Sequence, residues 1–446
     1  MKILLVQAYL GRKEREGSLY PIGLAYLASV LEKKHEVKIH DLNLHENPYS
    51  ELEALLNSFK PDVVGISQRN IDTTQLRDLF LYINTLGPTA KLAREALPSA
   101  KILVGGSGFS LFADKIMQKV PEIDYGIYLE GEESLPELLD NLATPEKVKG
   151  LYIRRNGNVV FTGLRMLPDF DALPFPNRDT VSQYTVFHPL AIGVQTKRGC
   201  PLGCTYCSYP HLNGKSLRLR TPSRVVDEIE ALVKKHGIKS FSFLDSVFNL
   251  PRSFAVDICN ELAKRNLDVT WSAWYSPIGF DEELFKIARS AGCEHFAFSP
   301  DAITNQSLRM MGKEFTEKDI QRVFTIARRN KDAKFGFSFF CNTPGLNFKG
   351  YLKLLLFFIK GNLLLFGRGG VGLSWVRIEP FTKIKEQAIK DGVISEATDL
   401  FATTPEELGK LFYLNPKLKL EDFITHKLLD TVKLVGGLMG KKVKHV

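Results

Sequence analysis

The 446-residue sequence is poor in cysteine, with six in all, and their placement is uneven. Cys200, Cys204 and Cys207 crowd together, while Cys259, Cys293 and Cys341 stand alone. Six thiols so placed exclude a disulfide framework in a chain this long and fit a reducing compartment, the cytoplasm, with one metal or redox site. Long apolar runs are also missing. The most apolar late stretch, Leu354 to Phe366, is interrupted by Lys360, Gly361 and Asn362, which argues against a transmembrane helix. The opening run Ile3–Val6 is too short for a signal peptide and reads as a strand. Acids are absent from residues 180–226, which carry six Lys or Arg. A second basic stretch, Gly409 to Val446, holds eight Lys against three acids, so much of the formal net charge of +9 lies at that end. The imbalance points to an anionic ligand without saying which. No nucleic-acid motif is present, and aromatics do not interleave with Lys or Arg along one element, so nucleic acid is not expected. With 44% hydrophobic and 24% charged residues the chain is globular, of two large or three smaller domains.

What is there is an alternation of strand and helix signals. Apolar runs at Ile3–Val6, Val37–His40, Asp62–Ser67, Ile102–Val104 and Tyr125–Leu129 are separated by helical stretches at Pro21–Lys34, Ser50–Phe59, Asp72–Ala96 (broken at Gly87-Pro88), Ser110–Val120 and Glu132–Leu142. This predicts an α/β domain over residues 1–145, a doubly wound, Rossmann-like parallel sheet with its ligand at the strand carboxyl ends. Residues 146–188 read as a hairpin turning at Asn156-Gly157, followed by the proline-rich linker Pro168 to Asn177. Residues 189–392 hold six strand candidates: Ala191–Thr196, Ser240–Leu244, Val269–Trp274, Glu294–Ser299, Lys334–Phe340 and Gly372–Ile378. With helices between them they form a partial (βα)6 barrel, its site again at the strand carboxyl ends. Residues 393–446 read as a short, basic, helical C-terminal region. Its segment Leu434 to Met439 is a solvated helix end or, alternatively, a contact with an anionic membrane.

The strongest motif is Cys200-Pro-Leu-Gly-Cys204-Thr-Tyr-Cys207, directly after the first barrel strand. Three thiolates within eight residues reach one centre only if the loop wraps, and Gly199 and Gly203 permit wrapping. Three readings are open. A four-iron cluster held by Cys200, Cys204 and Cys207 would leave one iron free for a small molecule. A zinc site would recruit His211 as its fourth ligand. Reduced structural thiols would need no metal, although clustered thiolates repel and oxidise.

The spacing C-xxx-C-x-Φ-C after a first barrel strand, with Tyr206 as the aromatic, resembles the signature of radical S-adenosylmethionine (SAM) enzymes. Lys197-Arg198-Gly199, Leu244 to Asn249 and Thr343-Pro-Gly345 resemble other segments of that family. Together with the preceding domain and Leu173-Pro-Phe-Pro176, roughly residues 1–390 resemble its cobalamin-binding branch, methyltransferases included. The resemblance implies a [4Fe-4S] cluster, SAM and cobalamin as cofactors, and an external electron donor of flavodoxin or ferredoxin type. It implies SAM contacts from Tyr206, Asp245, Ser299, Asp301 and Arg377, the last from the segment Gly370 to Ile378. The string Ser299-Pro-Asp301 departs from the glycine-and-acid pattern usual at that place in the family.

Cobalamin contacts are implied for Ser67, Gln68, Arg69 and Asn70, for Gly105, Gly106, Ser107 and Gly108, and for Glu130, Gly131 and Glu132. There is no Asp-x-His-x-x-Gly motif after the first strand, so either cobalamin is absent or it binds without a histidine below cobalt. Arg69, in a string resembling one in a tryptophan C-methyltransferase, is a candidate to lie beneath the corrin and exclude water. A cation there cannot ligate the metal. The alternative has Arg69 capping a loop or pairing with Asp72. Cys341 and Tyr275 are further candidates near the reacting groups. Tyr275, with Trp271 and Trp274, is either barrel core or an aromatic wall, and His35, His40 and His45 read as packing residues. The implied activity is methyl transfer from SAM, by way of cobalamin, to an unactivated carbon or phosphorus of a small molecule or natural product. A cobalamin-dependent radical cyclase or rearrangement enzyme, and a non-catalytic corrinoid sensor, are the alternatives.

Overall fold

The computed structural model describes residues 1–11, 19–185 and 190–438. Its first sheet comprises β1 (Lys2–Gln7), β2 (Glu36–Asp41), β3 (Val63–Ser67), β4 (Lys101–Gly105), β5 (Tyr125–Ile127), β6 (Leu151–Arg155) and β7 (Asn158–Phe161), in the order β2-β1-β3-β4-β5-β6-β7. The first five strands are parallel. Leu4, Val6, Val64 and Ile102 pack in one core cluster, and Ile3, Leu5, Val63 and Leu103 in another. Successive strand residues thus face opposite cores, which is why these runs are apolar throughout.

Three local expectations change. The hairpin placed with the linker belongs to the first sheet, because β6 pairs antiparallel with β5. Its turn residues Asn156 and Gly157 both have positive φ, as this two-residue turn demands. The stretch from Asp72 to Ala96 is not one broken helix. Residues 72–81 form a loop, and the helix Leu86–Ala96 begins late, with Pro88 in a first turn that tolerates it. Ser110–Val120 is two short helices, Ser107–Leu111 and Ala113–Lys119.

The second sheet starts at β8 (Gly193–Val194). The short antiparallel pair β9 (Lys197–Arg198) and β10 (Arg218–Leu219) follows, bracketing the cysteine loop. Next come β11 (Ser240–Phe243), β12 (Thr270–Tyr275), β13 (Cys293–Asp301), β14 (Lys334–Phe340) and β15 (Gly369–Ser374). Their order β15-β14-β13-β12-β11-β8 is parallel throughout, an open six-stranded partial barrel. The expected strand Gly372–Ile378 is split into β15 and β16 (Val376–Arg377), and β16 pairs with β17 (Phe412–Tyr413). An additional helix, Asn305–Met310, follows β13. The C-terminal region ends in the helix Lys419–Leu438; the side chains of Leu434 to Met439 lie outside the described residues.

Tyr275 is core. It is buried among Phe248, Phe280, Phe296 and Phe298, and its hydroxyl lies 3.4 Å from Cys293 Sγ. Trp271 is likewise buried and donates Nε1–H to the Ala291 carbonyl, leaving only Trp274 exposed. These findings remove Tyr275 from the residues that could meet a substrate.

The two sheets meet through the loops at their carboxyl ends. Arg198 on β9 is buried against Glu130 (2.7 Å) and Glu132 (2.7 Å), which follow β5, and lies over the rings of Phe170 and Tyr26. Arg218 also pairs with Glu130. Asp72, after β3, pairs with Arg377 of β16 at 2.9 Å, with both side chains almost fully buried. Removing one member of such a pair leaves an uncompensated buried charge. Arg198→Met should therefore cost about 3–5 kcal/mol, read as a lowered urea midpoint; an unchanged midpoint would refute the clamp.

Candidate cluster and cofactor site

The entrance to the cysteine loop is pinned by Asp245, at the end of β11. Its carboxylate accepts from Thr196 N (2.9 Å), Thr196 Oγ1 (2.6 Å) and Lys197 N (3.3 Å), and Lys197 Nζ lies 3.4 Å away. Asp245 is thereby engaged in holding the chain, not free for the SAM contact the resemblance implied. Gly199 then turns with φ +89°, where a Cβ would come within 2.1 Å of the Ser216 carbonyl. Gly203 needs no such freedom. The tight place is instead Gly312 (φ +69°), whose Cβ would meet the Gly203 carbonyl at 2.1 Å. Cys200 N bonds Gly214 O and Thr205 N bonds Met311 O, so the loop is wrapped by its own return and by the turn after Met310.

Cys200 is buried and Cys204 and Cys207 are half-buried. Burial pushes the Cys204 thiol up, against the opposing charge of Lys313. Burial does the same for Cys207, to about 11, with the charges of Cys204 and Cys200 adding to it. Three anions in such a place need a shared cation, and an iron–sulfur cubane supplies one. Among the described residues no three His, Cys, Asp or Glu side chains converge to hold a single metal ion. A cubane spreads its corners and needs no such convergence. The zinc reading loses its fourth ligand, because the His211 ring stacks on Phe381 at 3.8 Å and its Nε2 lies 3.0 Å from Tyr128 Oη.

Beside the loop, Tyr206 donates its hydroxyl to Asp301 Oδ2 at 2.5 Å. Lys313 pairs with the same carboxylate and donates to Tyr206 Oη (3.1 Å) and the Ser299 carbonyl (3.4 Å). Asp301 holds φ +65° at the end of β13. Three expected SAM residues, Tyr206, Ser299 and Asp301, are thus assembled around a lysine that motif reading missed. Lys313 also lowers the Cys204 thiol against the larger effect of burial. Its signal was the preceding Gly312. Arg377 is spent on Asp72 and on the Leu400 carbonyl, between domains. Cys341 is buried, its thiol pushed far up by burial and then by Asp422 of the C-terminal helix, so it presents no thiol to a substrate.

The segments expected to contact cobalamin divide in two. Ser67–Asn70 and Gly105–Gly108 are stitched together: Gln68 N bonds Gly105 O at 2.8 Å, and Gly108 N bonds the Gln68 and Arg69 carbonyls. At Gly106 (φ +98°) a Cβ would lie 2.7 Å from Gln68 O, so only glycine permits the approach. Gln68 is buried and its Oε1 has no hydrogen-bond partner, an acceptor left for a bound group. Arg69 is exposed and, with Asp72 taken by Arg377, does not pair with that acid. These features fit a flat macrocycle laid on the strand ends. Glu130 and Glu132 do not share the platform, being committed to Arg198 and Arg218; Gly131 packs tightly on Ile127 and Leu27.

Platform and cysteine loop are neighbours. The helix Ser107–Leu111, issuing from the glycine turn, contacts the helix Tyr209–Asn213, issuing from Cys207.

A B12 binding domain model matches residues 10–139 and a Radical SAM superfamily model matches residues 194–358. The fold and site therefore define a cobalamin-binding radical SAM protein. More narrowly, the two matched segments place a B12-binding domain ahead of a radical SAM barrel in this chain. It is 27% identical to an uncharacterized methyltransferase of Pyrococcus horikoshii, over 94% of this chain and 93% of that one. It is 28% identical to the anaerobic magnesium-protoporphyrin IX monomethyl ester cyclase of Cereibacter sphaeroides, over 74% of this chain and 55% of that one. Its fold resembles the radical S-adenosylmethionine methyltransferase TsrM of Kitasatospora setae, solved with cobalamin and a [4Fe-4S] cluster. The TM-score is 0.77 at 20% identity, over 94% of this chain and 88% of that one.

Anaerobic reconstitution should give about four irons per chain, and Cys200→Ala, Cys204→Ala and Cys207→Ala should each abolish the iron absorbance. His211→Ala should retain it; loss of iron there would return the histidine to the metal site.

Proposed function

We propose that the protein is a cobalamin-dependent radical SAM methyltransferase acting on an unactivated carbon or phosphorus of a small molecule or natural product. The observation that carries this reading is the contact between the helix leaving the glycine platform and the helix leaving the cysteine loop. It brings the two cofactor surfaces to one gap, as a reaction shared between them requires. Relatives named methyltransferases support it.

In this reading Cys200, Cys204 and Cys207 hold the cluster, and Tyr206, Ser299 and Asp301 orient SAM beside it. Lys313 pairs with Asp301 and lowers its carboxyl against the larger upward push of burial. Ser67–Asn70 and Gly105–Gly108 seat cobalamin, which when bound supplies the methyl-carrying chemistry. Arg69, exposed on this platform, would offer cobalamin a planar cation that cannot ligate the metal and so would serve to exclude water there. The buried pairs Glu130–Arg198 and Asp72–Arg377 tie the two domains together beside the gap. All six cysteines are free, which supports a cytoplasmic location, and reductive chemistry at the cluster would need an external electron donor of flavodoxin or ferredoxin type.

A second reading, ring closure without methyl transfer, is favoured by the similarity to the cyclase. The two differ in products. Methyl transfer yields S-adenosylhomocysteine, whereas cyclisation yields 5′-deoxyadenosine alone. Incubation of reconstituted protein with SAM, cobalamin and reductant should give S-adenosylhomocysteine, and its absence beside abundant 5′-deoxyadenosine would overturn methyl transfer. Arg69→Ala should lower S-adenosylhomocysteine formation while leaving the iron content unchanged.

A further inference from the structure

The helix Phe348–Leu364, which crosses from β14 to β15, is apolar on nearly its whole circumference, yet only one side is covered. Tyr351, Leu354, Phe357, Phe358 and Gly361 are buried against the barrel. The outward side is formed by Phe348, Leu352, Leu356, Ile359 and Leu363, with Phe348 at 55%, Leu356 at 68% and Leu363 at 73% exposure. At about 100° per residue, these five fall in one stripe roughly 80° wide. A contiguous exposed stripe of this kind on a folded chain marks a contact surface.

The charges identify the contact. The helix carries Lys349, Lys353 and Lys360 and no acid. By the same helical periodicity all three lysines fall within about 40° of arc, directly beside the stripe. Lys353 is held by Glu317; Lys349 and Lys360 are exposed and make no ion pair among the described residues. A second copy docking antiparallel, stripe to stripe, would set lysine row against lysine row, which disfavours that form of self-association. An apolar stripe with cations along its edge is instead the chemistry of a helix lying in the plane of an anionic lipid surface. The C-terminal helix Lys419–Leu438 adds to the same region. It is joined to Phe348–Leu364 by Tyr351 Oη and Thr425 Oγ1 at 3.1 Å, and it exposes Leu420 and Phe423, the latter beneath Lys427. No helix among the described residues is long and apolar enough to cross a membrane, so the contact would be peripheral.

We infer that the outer face of the helix Phe348–Leu364 docks the protein on an anionic membrane surface. This inference is independent of methyl transfer. The full chain should co-sediment with vesicles of phosphatidylcholine mixed with phosphatidylglycerol, and far less with vesicles of phosphatidylcholine alone. Salt should weaken the binding. The double variant Leu356→Gln/Leu363→Gln should reduce vesicle binding by about tenfold or more while keeping the thermal midpoint and iron content of the native chain. Lys349→Glu/Lys360→Glu should abolish the preference for anionic vesicles. Failure to sediment with either vesicle type would overturn the proposal. So would a dimer in solution that the leucine substitutions dissolve, because the stripe would then be an interface between copies.

Discussion

The arrangement of this molecule depends on a buried charge clamp. Arg198 lies on β9, just after the first barrel strand and two residues before Cys200, and is enclosed by Glu130, Glu132 and two aromatic rings from the first domain and linker. Burying a guanidinium costs several kcal/mol unless carboxylates meet it in good geometry. The two domains are therefore stable only in the orientation that supplies both acids. That orientation points the carboxyl ends of one parallel sheet at those of the other, and the cysteine loop hangs from the strand that carries the arginine. The position of the sulfur donors is thus set by electrostatics at the domain boundary as much as by the barrel.

The same economy appears at the next level. Asp245, Asp301 and Asp72 each end a strand-to-loop transition, and each is held by a cation: Lys197, Lys313 and Arg377. Two of these pairs brace the chain; the third stands beside Tyr206 and Cys204. Similar chemistry thus serves support at two places and, in the proposed function, the cofactor at one. A charged residue near a conserved-looking motif cannot be assigned by type alone.

Much of the fold was legible because its signals are local. Apolar runs such as Ile3–Val6 and Lys334–Phe340 became strands, and Asn156-Gly157 made the turn its dihedral preferences favour. The cysteine spacing carried the family because a wrapped loop needs only its own residues and nearby glycines. What was not legible depends on partners far along the chain. Glu130 and Glu132 resembled ligand contacts until Arg198, 68 positions from Glu130, claimed them. Arg377 resembled a cofactor residue until Asp72, 305 positions away, met it. Residues 72–81 were expected to be helical and form a loop for the same reason, since Asp72 is drawn inward by a distant cation. Lys313 was hidden because only the fold brings Gly312 against Gly203.

That last contact bears on how the protein matures. The Gly203 carbonyl rests where a side chain on residue 312 would stand, so the sulfur loop takes its shape only once the chain beyond β13 has been made and has turned back. A nascent or clipped chain ending before that turn would bear the three thiols without the Met311 and Gly312 backbone that packs against their loop.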